Sequence, residues 1–116
     1  MPYKKEIDER IGQLTAQWKN TDRKNMFGGV CHLLNGNMFC GVYKDYLILR
    51  LGMENARNAA ANPFVKPFDI TGKPMKGWLM VEEKGFCEDR QLSDWLHLAK
   101  AFAESLPPKA GSEDSK

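Results

Sequence analysis

His32, Phe39, Tyr43, Tyr46 and Arg50 are the residues of this chain whose types suit recognition chemistry: an imidazole that titrates near neutrality, aromatic area with hydrogen-bonding tips, and one guanidinium. Aromatic residues mixed with arginine in this way are enriched at protein contact surfaces. Arg50 closes an otherwise apolar stretch, so it either pairs with a carboxylate such as Asp69 or is presented to an anionic ligand. A second group, Lys73, Lys76 and Trp78, lies in the turn-forming run GKPMKGW. It reads either as a displayed recognition turn or as a hairpin turn with Trp78 packed beneath it.

Other chemistries find little support. Cys31, Cys40 and Cys87 make an odd count with no Cys-x-x-Cys pair, which argues against a disulfide framework and against zinc. With no second histidine at ligand spacing, neither a metal nor a cofactor is expected, and no catalytic residue is assigned. Gly28-Gly29 precedes a strand rather than a helix and lacks the Gly-Lys-Ser/Thr ending of a phosphate loop, so it more simply permits close helix approach or a bulge. A net charge of +2 is too small to argue for a nucleic-acid partner. Aromatics on a sheet face suit stacking on single-stranded bases, yet only Arg50 and Lys44 add positive charge near them. No run approaches the roughly 18 apolar residues of a membrane span. The start, MPYKKEIDERIGQ, has no apolar core for a signal peptide, so a cytoplasmic protein with no membrane contact is expected.

These residues need elements to hold them. Tyr3, Ile7, Ile11, Leu14 and Trp18 form one stripe of an amphipathic helix, whose charges from Lys4 to Arg10 read as solvated surface. KNTDRKN, residues 19–25, reads as a connecting loop, and Lys19, Arg23 and Lys24 in it as a small positive cluster. Residues 26–52 then give three antiparallel strands, turning at Asn35-Gly36 and at Lys44-Asp45.

With two-residue loops at both turns, Leu34 opposes Asn37 and Tyr43 opposes Tyr46, which fixes the faces. One carries Gly29, Cys31, Leu33, Met38, Cys40, Val42, Leu47, Leu49 and Leu51 and is the side that helices must cover. The other carries Gly28, Val30, His32, Leu34, Phe39, Gly41, Tyr43, Tyr46, Ile48 and Arg50, with His32, Phe39 and Arg50 in one cross-strand row. Cys31 and Cys40 become directly opposed, close enough in principle for a cross-strand disulfide, with two buried thiols the expected state in a reducing cytoplasm. This mixed face is either covered as a secondary core or is a partner surface.

Residues 53–62 suit a short Ala-rich helix presenting Met53, Ala56 and Ala60, and Pro63 ends it. A second hairpin follows, with a strand near Phe68 to Thr71, a turn at Gly72-Lys73-Pro74 and a strand over 76–82. Asp89 suits the N-cap of a last helix over 90–106, whose stripe runs Leu92, Trp95, Leu96, Ala99, Phe102, Ala103 and Leu106. Residues 1–106 thus make one domain, and the polar tail 107–116 is expected to be disordered. The fold class is α+β, a two-layer antiparallel sheet with helices on one face, in the order α-β3-α-β2-α.

The strings MFGGVCHLLNGNMFCGV and PFDITGKPMKGWLMV, with the Trp95-bearing helix ending AFAESLPPK, resemble stand-alone TfoX N-terminal-domain proteins of the TfoX/Sxy competence-regulator family. That resemblance implies a fold similar to secretion-chaperone and YgaC-like domains, and a regulatory role in competence and transcription. It supplies no catalytic residue. The expected function is a non-enzymatic binding or regulatory module acting through protein contacts, able to self-associate as a homodimer. The rival class is a small anionic-ligand or enzymatic site between the Gly72 to Trp78 turn and the strand ends, using Lys76, Arg50 and His32. Weak nucleic-acid binding stands third.

Overall fold

Ile7 and Ile11 recur one helical turn apart and are fully buried, which seats helix α1 (Lys5–Leu14) on a sheet. The computed structural model describes residues 3–26, 28–68 and 76–107. After α1 come β1 (Thr21–Met26), β2 (Gly29–Leu34), β3 (Asn37–Tyr43), β4 (Tyr46–Arg50), α2 (Met53–Ala59), β5 (Val65–Pro67), β6 (Trp78–Val81) and α3 (Asp89–Glu104). The strands form one antiparallel sheet ordered β1-β2-β3-β4-β6-β5. Helices α1 and α3 pack on one face, giving an α+β domain. No helix among the described residues is long and apolar enough to cross a membrane.

Four strands, not three, precede α2. The expected loop over 19–25 contains β1, which pairs with β2 from Thr21↔Leu34 to Met26↔Gly29. Its sequence TDRKNM has almost no apolar content, so its structure comes from the backbone ladder and not from a buried side-chain pattern. The strand expected near Phe68 to Thr71 lies, beyond Phe68, outside the described residues, and the edge strand pairing with β6 is β5 at Val65–Pro67. There Val65 and Lys66 carry the backbone donors that Pro63 and Pro67 lack. Residues 69–75, and with them Lys73 and Asp69, lie outside the described residues, as does the tail over 108–116. Helix α3 begins one residue early: Glu88, not Asp89, is its N-cap, and Gln91 Oε1 accepts the Glu88 backbone N–H at 3.0 Å.

Both tight turns form as their residues dictate. Asn35 and Gly36 take φ 53° and 81°, the pair of positive angles a type I′ loop requires. Lys44 takes φ 56° in the second loop, and Tyr43 opposes Tyr46. The β3–β4 register therefore follows expectation along its length. The β2–β3 register does not: Leu34↔Asn37 and Leu33↔Met38 pair as expected, but His32 then opposes Cys40, leaving Phe39 without a partner. Phe39 is the extra residue of a β-bulge.

That one residue inverts β2 against the rest of the sheet. Val30, His32 and Leu34 face the helices; Cys31, Leu33 and Met38 face away, contrary to the regular pairing. Cys31 opposes Gly41 instead of Cys40, so the two thiols lie on opposite faces. Both are free and buried, and burial pushes Cys31 up to about 11 and Cys40 well above its ordinary range. Phe39 joins the main core beside Trp18, at 5.6 Å between rings. Cys40, Val42, Leu47, Leu49 and Leu51 hold the core places expected of them. On the far face Ile48, Met80 and Phe68 form a second small cluster flanked by Met38, Tyr43, Tyr46 and Trp78.

The inverted strand has a measurable signature. Leu34→Ala is expected to cost about 3 kcal/mol by denaturant unfolding and Leu33→Ala roughly half of that, because only Leu34 is sealed beneath the helices. The opposite ranking would contradict the bulge.

Candidate functional site

Arg50 ends β4 opposite Trp78 of β6, so the two side chains leave the same side of the sheet. The guanidinium carbon stands 5.4 Å from the Trp78 ring centre and 5.6 Å from that of Phe102, which reaches over from α3. These cation–π contacts hold the half-buried cation against two rings. Among the described residues the Arg50 side chain has no ion pair and no hydrogen bond; the proposed partner Asp69 lies outside them. No described residue takes any of its five N–H donors.

They line an open cleft of about 310 Å³ formed with Gly52, Met53, Lys76, Gly77, Trp78 and Phe102. The backbone sets its floor. Leu51 and Gly52 both donate to the Gly77 carbonyl, at 2.8 and 3.2 Å, tying the end of β4 to the approach of β6. Gly52 has φ 84°, and a Cβ there would come within 2.6 Å of the Phe102 ring, so only glycine lets that ring lie over the strand end. Lys76 is exposed beside Arg50, and Met53 is 57% exposed at the rim. Two cations beside apolar surface suit an anion attached to an apolar body.

A second cluster lies under α1. Asp8 Oδ1 accepts a hydrogen bond from His32 Nε2 at 2.7 Å, and Arg23 Nε and Nη2 reach Asp8 Oδ2 at 3.0 and 2.5 Å. Arg23 and His32 are register partners on β1 and β2, which aims both at one carboxylate. Arg23 also donates to Tyr3 Oη at 3.1 Å. An ionised carboxylate only accepts, so His32 is the tautomer with its proton on Nε2. Burial pushes Asp8 upward, but the hydrogen bonds from Arg23 and His32 outweigh it and hold the carboxyl below its ordinary value. Burial lowers His32, and the contact with Asp8 only partly offsets it.

The five residues expected on one recognition face are thus divided. His32 and Phe39 are buried on the helix side, Tyr43 and Tyr46 are half-buried on the other, and Arg50 stands at the sheet end. The row His32, Phe39, Arg50 does not exist, because Phe39 occupies the bulge. His32 also lies away from the residues lining the Arg50 cleft, so the expected trio with Lys76 does not assemble. Of the recognition turn, Lys76 and Trp78 line that cleft, with Trp78 also stacked on Phe68 at 5.6 Å.

Asp8 among the solvated charges, Arg23 in the loop cluster, and Met53 and Phe102 on helix faces were not expected at these sites. Asp8 follows Ile7 of the buried stripe, which was the one signal that a charge in this run turns inward. Lys5, Glu6 and Glu9 are exposed as expected of solvated surface, whereas Arg10 binds Asp89 and the Phe86 carbonyl, and Lys4 binds Glu83 at 2.6 Å.

The architecture and cleft define a two-layer α+β domain with a cationic, partly aromatic recess at one end of its sheet. Residues 13–103 match the family described as the TfoX N-terminal domain, and the chain belongs to it. Comparison with curated proteins and with solved structures gave no match.

The buried cluster makes stability depend on pH. His32 binds its proton more weakly in the folded chain than its ordinary 6.5, so the unfolded chain protonates first. The His32 contribution to stability is fully present above about pH 6.5 and falls as pH drops through that value toward the folded pKa. The Asp8 contribution is present above its ordinary 3.8 and is lost only as pH falls through its lower folded value. Thermal unfolding from pH 7.5 to 5 should show the decline, and His32→Gln should flatten it; an unaltered slope in that variant would assign the effect elsewhere.

Proposed function

We propose that this chain is a non-enzymatic regulatory binding module that acts through protein contacts, with the Arg50 cleft receiving an acidic group of the partner. The observation that carries the reading is the state of Arg50. The side chain is held between Trp78 and Phe102, yet none of its donors is used by a described residue. A partly desolvated guanidinium whose donors no described residue takes favours a carboxylate or phosphate that brings two oxygens in one plane. The regulatory part of the reading rests on membership of the TfoX N-terminal domain family. The concavity of the recess supports a second reading, a small anionic ligand, although its volume lies at the lower limit of small-molecule sites.

A fluorescein-labelled decaglutamate peptide is a simple probe. By anisotropy at low salt, Arg50→Met should weaken its binding about tenfold or more, since a charge-assisted contact is lost while the alkyl stem is kept. Lys100→Met removes the same charge from a side chain stacked on Trp18 and should leave binding within about twofold. Equal binding by Arg50→Met and the wild type would refute the site.

A further inference from the structure

Anion binding alone leaves the apolar side of the cleft uncovered. Met53, the most exposed large hydrophobic side chain among the described residues, stands on its rim. It begins α2 immediately after Gly52, while the buried contact of that helix is made by Ala56. Met53 therefore contributes little to the core, and its flexible thioether lies in water beside Arg50. Phe102 and Trp78, both half-buried, continue the apolar surface inward. One side of the recess is thus cationic, through Arg50 and Lys76, and the other is apolar, through Met53 and the edges of two rings.

Resting on the reading of Arg50 as an anion receptor, we propose that the occupant is a protein segment in which an acidic side chain stands next to an aromatic or large aliphatic one. The carboxylate lies on Arg50 and Lys76, and its apolar neighbour lies on Met53. Charge complementarity selects the first group: two cations face the recess, and no described carboxylate pairs with Arg50. Size supports the second, since about 310 Å³ has room for side chains but not for a folded element. A bare phosphate would satisfy the cations and leave Met53 in water. An apolar segment without charge would cover Met53 and bury the guanidinium donors unpaired, which is costly.

The test is a titration of the full chain, followed through the Gly77 backbone amide and the Trp78 indole N–H by NMR. The probes are four: acetyl-Gly-Glu-Phe-Gly-amide, its Glu-Ser and Gln-Phe counterparts, and inorganic phosphate. The Glu-Phe peptide is expected to bind about tenfold more tightly than each of the other three. Met53→Gln keeps an unbranched side chain at an exposed position, and should bring Glu-Phe to within about twofold of Glu-Ser without altering the wild-type spectrum elsewhere. If Glu-Phe, Glu-Ser and phosphate bind alike and all weaken in Arg50→Met, the apolar companion is refuted while the anion site stands. If Gln-Phe binds as well as Glu-Phe, or no probe binds, the anion reading itself falls and the inference with it.

Discussion

An unpaired Phe39 between β2 and β3 is the constraint on which the rest of this domain depends. A strand has only two faces, so inserting one residue between Met38 and Cys40 forces every side chain beyond it to exchange sides relative to a regular ladder. The exchange brings His32 under α1 and sends Cys31 and Leu33 to the other face. The helices gain a large ring at the point where Trp18 folds back over the sheet. Because both aromatic and imidazole turn inward together, the polar group arrives with an apolar lid, its ring centre 6.4 Å from that of Phe39.

A buried imidazole needs a partner, and the partner determines how the N-terminal helix sits. Asp8 meets His32 and Arg23 at once, so α1, β1 and β2 are fixed by one carboxylate whose side chain is 12% exposed. Backbone bonding adds to this at the other end of the segment, where Lys4 donates to the Lys44 carbonyl at 2.7 Å. The apolar stripe of α1 gives it a face to bury through Ile7 and Ile11, and the directional hydrogen bonds of Asp8 add named partners to that packing. The edge strand β1, poor in apolar residues, is tied in by the same contact.

Much of this was legible in the chain. The helices followed from periodicity, the Asn35-Gly36 and Lys44-Asp45 turns from local chemistry, and the β3–β4 register from those turns. The α+β class and the core roles of Cys40, Val42, Leu47, Leu49 and Leu51 came with them. What stayed hidden did so for separate physical reasons. A bulge obeys no local rule that a sequence of apolar residues displays, and β2 is apolar on both faces, so GVCHLL fits either orientation equally well. β1 was hidden for the converse reason, having too few apolar residues to alternate. Arg50, Lys76 and Trp78 were named from residue type, whereas Met53 and Phe102 join them only through the path of α2 and α3.

The two margins of the sheet carry a consequence of their own. At one side β1 presents Asp22 and Lys24 from a charged strand, and at the other β5 is three residues long and closes on Pro67, which has no N–H to offer. Each is a poor template for lengthening the sheet by another chain's strand. Backbone zippering, the least selective way for a β domain to join a neighbour, is disfavoured at both margins. Selectivity then falls to side chains at the sheet end, where a partner is distinguished by what it carries and not merely by being extended.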